Sequence, residues 1–210
     1  MSSRLVELFE DLALAEKIKR RLPYLFTLAE IESSRAGKVG MEVGSLREKI
    51  LIALLMYKFG EENVETEIPI TEPEMDVKLF GEPVSIKTIT GTGGVKAVWT
   101  VDPQKAREFL ESYSPSCDIL LTQIKWDEKT VNENTRPGER THPGGLFWFP
   151  IEAQEYILRE MGKERYLKLP KQGTNPRGVE ISKEGLLRLL QDQNSRCIPI
   201  VWHRDTVSYN

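Results

Sequence analysis

The sequence predicts an α/β fold with a mixed central sheet, N-terminal helices and C-terminal helical additions. Apolar residues recur at helical spacing over the first 60 residues, and three short strands then follow one another up to residue 90. A further helix and a long apolar strand come next. The order of helix, three strands, helix and strand indicates an α/β arrangement and excludes all-helical folds. The glycine cluster at 91–94 lacks the G-x-G-x-x-G spacing of a dinucleotide-binding unit.

Length and composition indicate one domain with embellishments. The chain has 210 residues, of which 40% are hydrophobic and 29% are charged, so it can bury a core without metal or disulfide staples. We divide it into N-terminal helices with an adjacent loop (1–44), a central core (45–126) and C-terminal loops and helices (127–210). Cys117 and Cys197 are too few for a disulfide framework, and we expect both to be reduced core thiols.

Nothing in the sequence indicates a membrane or secreted protein. The longest strictly apolar run covers residues 50–56, whereas a membrane helix needs roughly 20 residues. Glu7, Glu10 and Asp11 interrupt the stretch where a signal peptide would be apolar. We therefore expect a cytoplasmic location and no membrane partner.

Three helices are predicted before the first strand. The first covers residues 3–20 and is broken by Pro23, and the second runs to about Arg35. A glycine-punctuated loop occupies 37–44. The third helix begins at Ser45, where the residues from Ser45 to Glu48 match a capping box, and it ends before Gly60.

The strands that follow are separated by turn signals. The first three cover 64–70, 74–80 and 83–90, and the last two form a hairpin with Gly81 and Glu82 as its turn residues. Asp102 and Pro103 suit the N-cap and first position of a helix over 103–113. The stretch 127–145 is polar and long, which makes it a functional-loop candidate. The remaining predicted elements are strands at 96–100, 118–126, 147–149 and 198–201 and helices at 151–161 and 182–193.

The charges are segregated along the chain. The net charge is only -3, yet the stretch 61–76 holds seven acidic residues and no basic one, and 161–178 holds five basic residues and one acidic. Carboxylates can hold a metal, and grouped cations can meet phosphates. This distribution suits an enzyme that acts on nucleic acid, although the net charge is not that of a typical binder.

The hairpin carries the candidate chemistry. With Gly81 and Glu82 as turn residues, Asp76 is expected directly opposite Lys87. An Asp–Lys pair is often only a surface ion pair. Here, however, the residues around the lysine, Val84, Ile86 and Ile89, are apolar, so we expect the strand to lie in a core.

Glu48 is the third member of the candidate site. It shares a helix stripe with Leu51, Ile52 and Leu55, which we expect to be buried. The alternative is that Glu48 is simply the third residue of the capping box, and the two roles can coexist. Two carboxylates and an amine at a sheet edge fit a divalent-metal site of the Mg²⁺ type. The lysine would then orient or deprotonate a water and offset phosphate charge.

These residues carry a resemblance to a nuclease family. Asp76 followed by Ser85-Ile86-Lys87, on a hairpin after the Glu48 helix, resembles the PD-(D/E)XK type II restriction endonucleases. Their common αβββαβ core matches the predicted elements from 45 to 126. This chain has Ser85 where the family has Asp or Glu, and it lacks the proline before Asp76. Several members lose the second carboxylate and replace it from the preceding helix, where Glu48 stands.

The resemblance implies the roles of the site residues. Glu48, Asp76 and Lys87 would be catalytic, and Mg²⁺ would be held by both carboxylates and by the backbone carbonyl of Ile86, with Ser85 supporting these ligands. Mn²⁺ is expected to substitute for Mg²⁺, and Ca²⁺ is expected to bind without supporting cleavage.

The resemblance also implies the target. The whole chain is similar to a member that cuts CG/CG to blunt ends, which implies cleavage of double-stranded DNA at CGCG. A palindromic site matches a two-fold homodimer. A cognate methyltransferase is expected in the host, with no direct contact implied.

Several residues outside the hairpin are candidates for DNA contact. For each of the basic ones the alternative is a solvated surface cation. Met41, beside the glycines, could wedge between base steps or simply fill a gap in the core. The candidate contacts are Met41, Lys96, Arg136, Arg140, His142, Lys168, Lys171, Asn175 and Arg177.

Other interpretations stay open at this point. Asp127-Glu128-Lys129 is a second D-x-K sequence with Asp118 upstream, but one continuous strand separates the two aspartates. With only His142 and His203 in the chain, zinc–histidine nuclease sites lack ligands. The alternatives to a restriction enzyme are a non-catalytic nucleic-acid-binding α/β module and a repair or junction nuclease of the same fold.

Overall fold

The computed structural model describes residues 3–35, 41–69, 74–98, 102–170 and 178–204. The helices in these ranges are α1 (Val6–Glu10), α2 (Leu12–Arg35), α3 (Met41–Phe59), α4 (Pro103–Ser112), α5 (Ile151–Met161), α6 (Lys163–Tyr166) and α7 (Lys183–Gln191), with one 3-10 turn at Glu61–Asn63. The strands are β1 (Val64–Glu65), β2 (Val77–Leu79), β3 (Glu82–Thr90), β4 (Val95–Val98), β5 (Asp118–Ile124), β6 (Gly145–Phe149), β7 (Leu167–Lys168), β8 (Val179–Ile181) and β9 (Arg196–Pro199).

The strands form two sheets, and the larger one is mixed. Its order is β1-β2-β3-β5-β6-β9. Strands β3 and β5 run parallel, because β4 and α4 cross over between them, and the other pairs are antiparallel. A smaller sheet has the order β4-β8-β7. The predicted α/β class with a mixed central sheet is therefore confirmed.

Helices cover both faces of the large sheet. Helices α2 and α3 pack on one face, in a core that includes Leu55 and Ile86. Helices α4, α5 and α7 and the small sheet pack on the other face, in a core that includes Phe149. Side chains alternate along a strand, so Ser85 and Lys87 of β3 point away from the core that contains Ile86. In the described residues, no helix is both long and apolar enough to cross a bilayer.

The predicted helix break at Pro23 is wrong. Helix α2 runs from Leu12 to Arg35 with Pro23 inside it. A proline in a helix interior costs about 3 kcal/mol. Ile18 and Leu22 before it and Phe26 after it are all buried in one core, and this packing on both sides holds the helix together.

The predicted start of the third helix at Ser45 is also wrong. Helix α3 already includes Met41, and Ser45 is an exposed residue within it. The capping box therefore does not exist, because an N-cap residue must lie at a helix end. Residues 41–44, predicted as loop, are helical in the structure, and Gly44 has open space around it.

The hairpin turn is one residue earlier than predicted. Leu79 pairs with Glu82, which leaves Phe80 and Gly81 as the turn residues. Both have positive φ, 52° and 81°, as a type I′ turn requires. Contacts of the Phe80 side chain stabilise this backbone conformation. Its ring packs edge-on against Phe59, with 5.8 Å between ring centroids, and lies under the guanidinium of Arg4.

The remaining differences concern short elements. Strands β7 and β8 and helix α6 were not predicted, because two or three residues are too few to show a period. The helices predicted at 103–113, 151–161 and 182–193 correspond to α4, α5 and α7. Asp102 is the N-cap of α4, as predicted, and accepts hydrogen bonds from the Gln104 and Lys105 amides.

Candidate active site

The Asp76 carboxylate is the centre of the site. Its Oδ2 atom accepts hydrogen bonds from the Ile86 amide at 2.6 Å, from Lys87 Nζ at 3.2 Å and from Ser85 Oγ at 3.2 Å. Among the described residues these bonds all fall on Oδ2, which leaves Oδ1 for another ligand. The structure therefore brings the predicted Asp76, Ser85 and Lys87 together.

An unpaired edge of β3 makes room for this carboxylate. Strand β2 pairs with β3 only between Glu82 and Val84, so among the described residues no strand is paired with the next part of β3 on that side. The Asp76 side chain bonds to the Ile86 amide in place of a neighbouring strand. The N–H and C=O of one residue in a strand point to the same edge, so the Ile86 carbonyl faces the Asp76 side as well.

Glu48 reaches the same place from helix α3. Burial is the main cause that raises the pKa of its carboxyl group, and the negative charge of Asp76 raises this pKa further, while Lys87 lowers it. Glu48 is therefore within electrostatic range of both Asp76 and Lys87. Leu51 and Leu55, on the same helix stripe, are fully buried, as predicted, and they hold α3 against the sheet.

The donor set fits a hard divalent cation. The negative charge of Asp76 disfavours the charged form of Glu48, and a bound cation would offset this repulsion. In the part of the chain that the structure describes, no three His, Cys, Asp or Glu side chains are grouped closely enough to hold a metal ion. Glu48, Asp76 and the Ile86 carbonyl would thus need water oxygens as well, which is how Mg²⁺ is commonly bound.

Lys87 is paired but not sealed off from solvent. The side chains of Lys87 and Asp76 are 22% and 20% exposed, so the ammonium can still meet a phosphate oxygen. Lys87 can therefore donate a hydrogen bond and stabilise negative charge on a substrate.

Sequence reasoning missed a further carboxylate beside Lys87. Glu74 Oε2 accepts a hydrogen bond from Ser116 Oγ at 2.7 Å. Burial raises the pKa of the Glu74 carboxyl group, while the Ser116 hydrogen bond and the charge of Lys87 lower it. The acidic run at 61–76 concealed this residue, since one glutamate among seven acidic residues shows no distinguishing pattern.

A second missed group holds helix α3 in place. Glu30 of α2 accepts hydrogen bonds from Arg47 Nη2 at 2.5 Å, Trp126 Nε1 at 2.7 Å and Arg204 Nε at 3.2 Å. The Arg47 side chain is 9% exposed, and burial lowers the pKa of its guanidinium. Because Arg47 precedes Glu48, this network fixes the helix next to the candidate site.

The predicted DNA contacts fall into three groups. Arg136 and Arg140 are exposed on the long loop. Lys168 Nζ lies 3.9 Å from Glu180 Oε2. Lys96 of β4 lies opposite Glu180 of β8 in the backbone register of the small sheet. Lys171, Asn175 and Arg177 lie outside the described residues, and so does the side chain of Met41.

The prediction that His142 contacts DNA is wrong. Its side chain is only 2% exposed. Its Nδ1 atom accepts a hydrogen bond from the Gly144 amide at 3.1 Å, and its carbonyl accepts one from Lys125 Nζ at 2.7 Å. The buried ring therefore stabilises the end of the loop instead of reaching DNA.

The alternative D-x-K sequence does not form a site. Asp118 is the first residue of β5, whereas Asp127 lies beyond its other end. Asp118 accepts hydrogen bonds from Trp148 Nε1 and from the Ile151 amide, whereas Asp127 pairs with Arg204. The two carboxylates have separate structural partners.

Both cysteines are free thiols. Burial is the main cause that raises the pKa of Cys117 and of Cys197, each to about 12. A thiol with such a pKa is a poor nucleophile at neutral pH, which agrees with the expectation of core thiols.

Comparisons with known proteins match the whole arrangement. The family model described as "Restriction endonuclease ThaI" matches residues 8–210. A solved structure described as "Restriction endonuclease in complex with substrate DNA" shares 54% sequence identity, with a TM-score of 0.86. That match covers 99% of this chain and 94% of the other. No curated protein matches the chain.

Proposed function

The chain belongs to the ThaI restriction endonuclease family, and we propose that it cuts both strands of double-stranded DNA at CGCG to give blunt ends. The observation that carries the proposal is the hydrogen bond between Lys87 and Asp76 at the edge of β3, and Glu48 is within electrostatic range of both residues. As a restriction enzyme paired with a methyltransferase, it would act on DNA in the cytoplasm.

We propose Mg²⁺ as the cofactor, with Glu48, Asp76 and the Ile86 carbonyl as its protein ligands. A bound Mg²⁺ supplies positive charge that offsets negative charge on the scissile phosphate. Mn²⁺ should replace it. Ca²⁺ should occupy the site and support DNA binding without cleavage.

The protein side chains have separate tasks. The Asp76 carboxylate orients the Lys87 ammonium through Oδ2. The ammonium donates a hydrogen bond to the attacking water or to a phosphate oxygen, which aligns the water and stabilises the transition state. Ser85 and the Ile86 amide hold the Asp76 carboxylate in one orientation. The carboxylate oxygen that would bind the metal is therefore already in position before the reaction.

DNA recognition would use the loops and a two-fold dimer. A palindromic target presents the same half-site twice, which an isologous homodimer matches. We propose phosphate contacts from Lys96, Lys168 and Lys171 and base-edge contacts from Asn175, Arg177, Arg136 and Arg140. Removing one phosphate contact should make the slope of log K against log salt concentration less negative by about one. Removing a base contact should instead relax sequence discrimination.

Met41 would act on the DNA stack rather than on phosphates. An unbranched, uncharged side chain can enter between base steps with little desolvation cost. Met41→Ala should then weaken binding to the CGCG duplex while the thermal midpoint of unfolding stays unchanged. Equal affinity of wild type and variant would exclude the wedge.

Incubation of a plasmid with the protein and Mg²⁺, with and without EDTA, tests the proposal. Discrete fragments whose ends map to CGCG, absent when EDTA is present, would support it. A matched plasmid with every CGCG rearranged to CCGG should stay intact. A smear would indicate a non-specific or repair nuclease, and an intact CGCG plasmid would favour a non-catalytic DNA-binding module.

A further inference from the structure

Glu74 faces the catalytic lysine from a fixed position. Its carboxylate is tied by Ser116 Oγ at 2.7 Å, and its backbone carbonyl accepts a contact from Cys117 Sγ at 3.7 Å. Ser116 and Cys117 directly precede β5, which pairs with β3 from Val84 to Thr90 and so along the part that contains Lys87. The Glu74 carboxylate is thus attached to the same rigid sheet as Lys87.

A small cavity joins Glu74 to Lys87. It has a volume of about 20 Å³, and its polar lining includes Glu74, Ser85, Lys87, Lys96 and Ser116. A cavity of this size has room for a single water, provided that two to four polar groups bind it. The hydroxyls, the carboxylate and the two lysines supply enough such groups.

Glu74 is not placed as a metal ligand. In the described part of the chain it does not join Glu48 and Asp76 in a group of three acidic side chains suited to a metal ion. Its Oε2 atom is already bonded to Ser116. Glu74 and Lys87 nevertheless line the same cavity.

We propose that Glu74 is a positioning residue that holds the Lys87 ammonium, through the cavity water, when Asp76 binds the metal. A metal bound by Asp76 would offset the negative charge of that carboxylate and weaken its attraction for Lys87. Glu74 is held by Ser116 and would not share the metal, so it would keep the ammonium in place for the reaction. This inference rests on the proposed nuclease function.

Single-turnover cleavage of a CGCG duplex by Glu74→Gln tests the inference. The variant should cut about 10- to 100-fold more slowly than wild type, the usual cost of losing a supporting partner. DNA affinity in Ca²⁺, the half-saturating Mg²⁺ concentration and the thermal midpoint should stay at wild-type values. Glu74→Asp should recover part of the rate. Glu65→Gln, a change at an exposed glutamate of β1, should cut at the wild-type rate.

Three kinetic results would overturn the inference. The first is a Glu74→Gln rate within twofold of wild type. The second is a raised Mg²⁺ requirement, which would make Glu74 a metal ligand, and the third is a rate loss accompanied by a lowered thermal midpoint.

A crystal structure with DNA and Ca²⁺ gives a test that does not depend on activity. Lys87 Nζ should lie within reach of Glu74 through one water, and a Glu74 carboxylate bound to Ca²⁺ or turned away would overturn the inference. Inactive wild type, in contrast, would contradict the proposed function itself.

Discussion

Lys87 Nζ lies 3.2 Å from Asp76 Oδ2, although the two residues are not opposite each other in the hairpin. The pairing of Val77 with Val84 places Ser85 beside Asp76, and Lys87 lies two residues further along the same strand face. A diagonal pair of this kind is about 7–8 Å apart at the backbone, which only a long side chain spans. The reach of lysine is therefore part of the site geometry.

We expect Lys87→Ala to lose cleavage while it keeps DNA binding. The ammonium stabilises charge that develops in the transition state, and removal of one such donor costs on the order of 10²- to 10³-fold in rate. Single-turnover cleavage and DNA affinity in Ca²⁺ measure the two effects. Lys129→Ala, in the loop after β5, is the control and should cut normally. A Lys87→Ala variant that cuts at the wild-type rate would exclude this role.

Glu48→Ala should likewise remove activity without a large loss of stability. The capping role is excluded, because α3 begins before Ser45, so the loss of about 1 kcal/mol typical of a missing cap is not expected. The thermal midpoint and the single-turnover rate, measured on the same preparation, separate the two roles. A lowered midpoint with an unchanged rate would make Glu48 a structural residue.

Glu30→Ala should destabilise the fold strongly. The change leaves the buried guanidinium of Arg47 without its acidic partner, and breaking a buried ion pair costs about 3 kcal/mol or more. The free energy of unfolding in urea gives the measurement. Arg204 binds the same carboxylate from a half-exposed side chain, so Arg204→Ala should cost about 1 kcal/mol or less. Equal losses of unfolding free energy in the two variants would show that the buried Glu30–Arg47 pair does not stabilise the fold.

The buried His142 should make stability depend on pH. Burial and, to a smaller extent, the charge of Lys125 together lower the pKa of His142 to about 4. Cys197 Sγ lies 4.0 Å from its Nε2 atom. An unfolded histidine takes up a proton near pH 6.5. As pH falls from about 6.5 to 4, the unfolded chain therefore binds more protons, and the free energy of unfolding should fall by about 3 kcal/mol.

Urea unfolding at several pH values, with two variants, tests this expectation. His142→Gln should flatten the decrease between pH 6.5 and 4, because it removes the titrating ring. His203→Gln changes an exposed side chain and should leave the decrease as it is in wild type. An unchanged slope in His142→Gln would show that other groups cause the acid sensitivity.

The sequence was sufficient for the order of the core elements and for the restriction-endonuclease resemblance, which the family match confirms. It also predicted that Asp76 and Lys87 would meet, even though the turn was misplaced. Moving the turn from Gly81-Glu82 to Phe80-Gly81 changes the partner of Asp76 by two residues. Side chains two residues apart share a strand face, so the chemistry of the site was preserved.

The parts that failed depend on contacts between distant segments. Glu30, Arg47 and Arg204 meet only because the chain folds α2, α3 and the segment after β9 together, and no local pattern marks them. Helix α2 continues through Pro23 because tertiary packing exceeds the local preference. The burial of His142 has the same origin, since its partners Lys125 and Cys197 lie on other strands or strand ends.

The single-turnover cleavage rate of Asp76→Ala, beside that of Asp127→Ala, tests the location of the active site most directly. A CGCG duplex with Mg²⁺ is the substrate for both variants. We expect no product from Asp76→Ala and a rate near wild type from Asp127→Ala, because Asp127 contacts only Arg204, His203 and neighbouring backbone among the described residues. Cleavage by Asp76→Ala at the wild-type rate, or its loss in Asp127→Ala alone, would contradict the account.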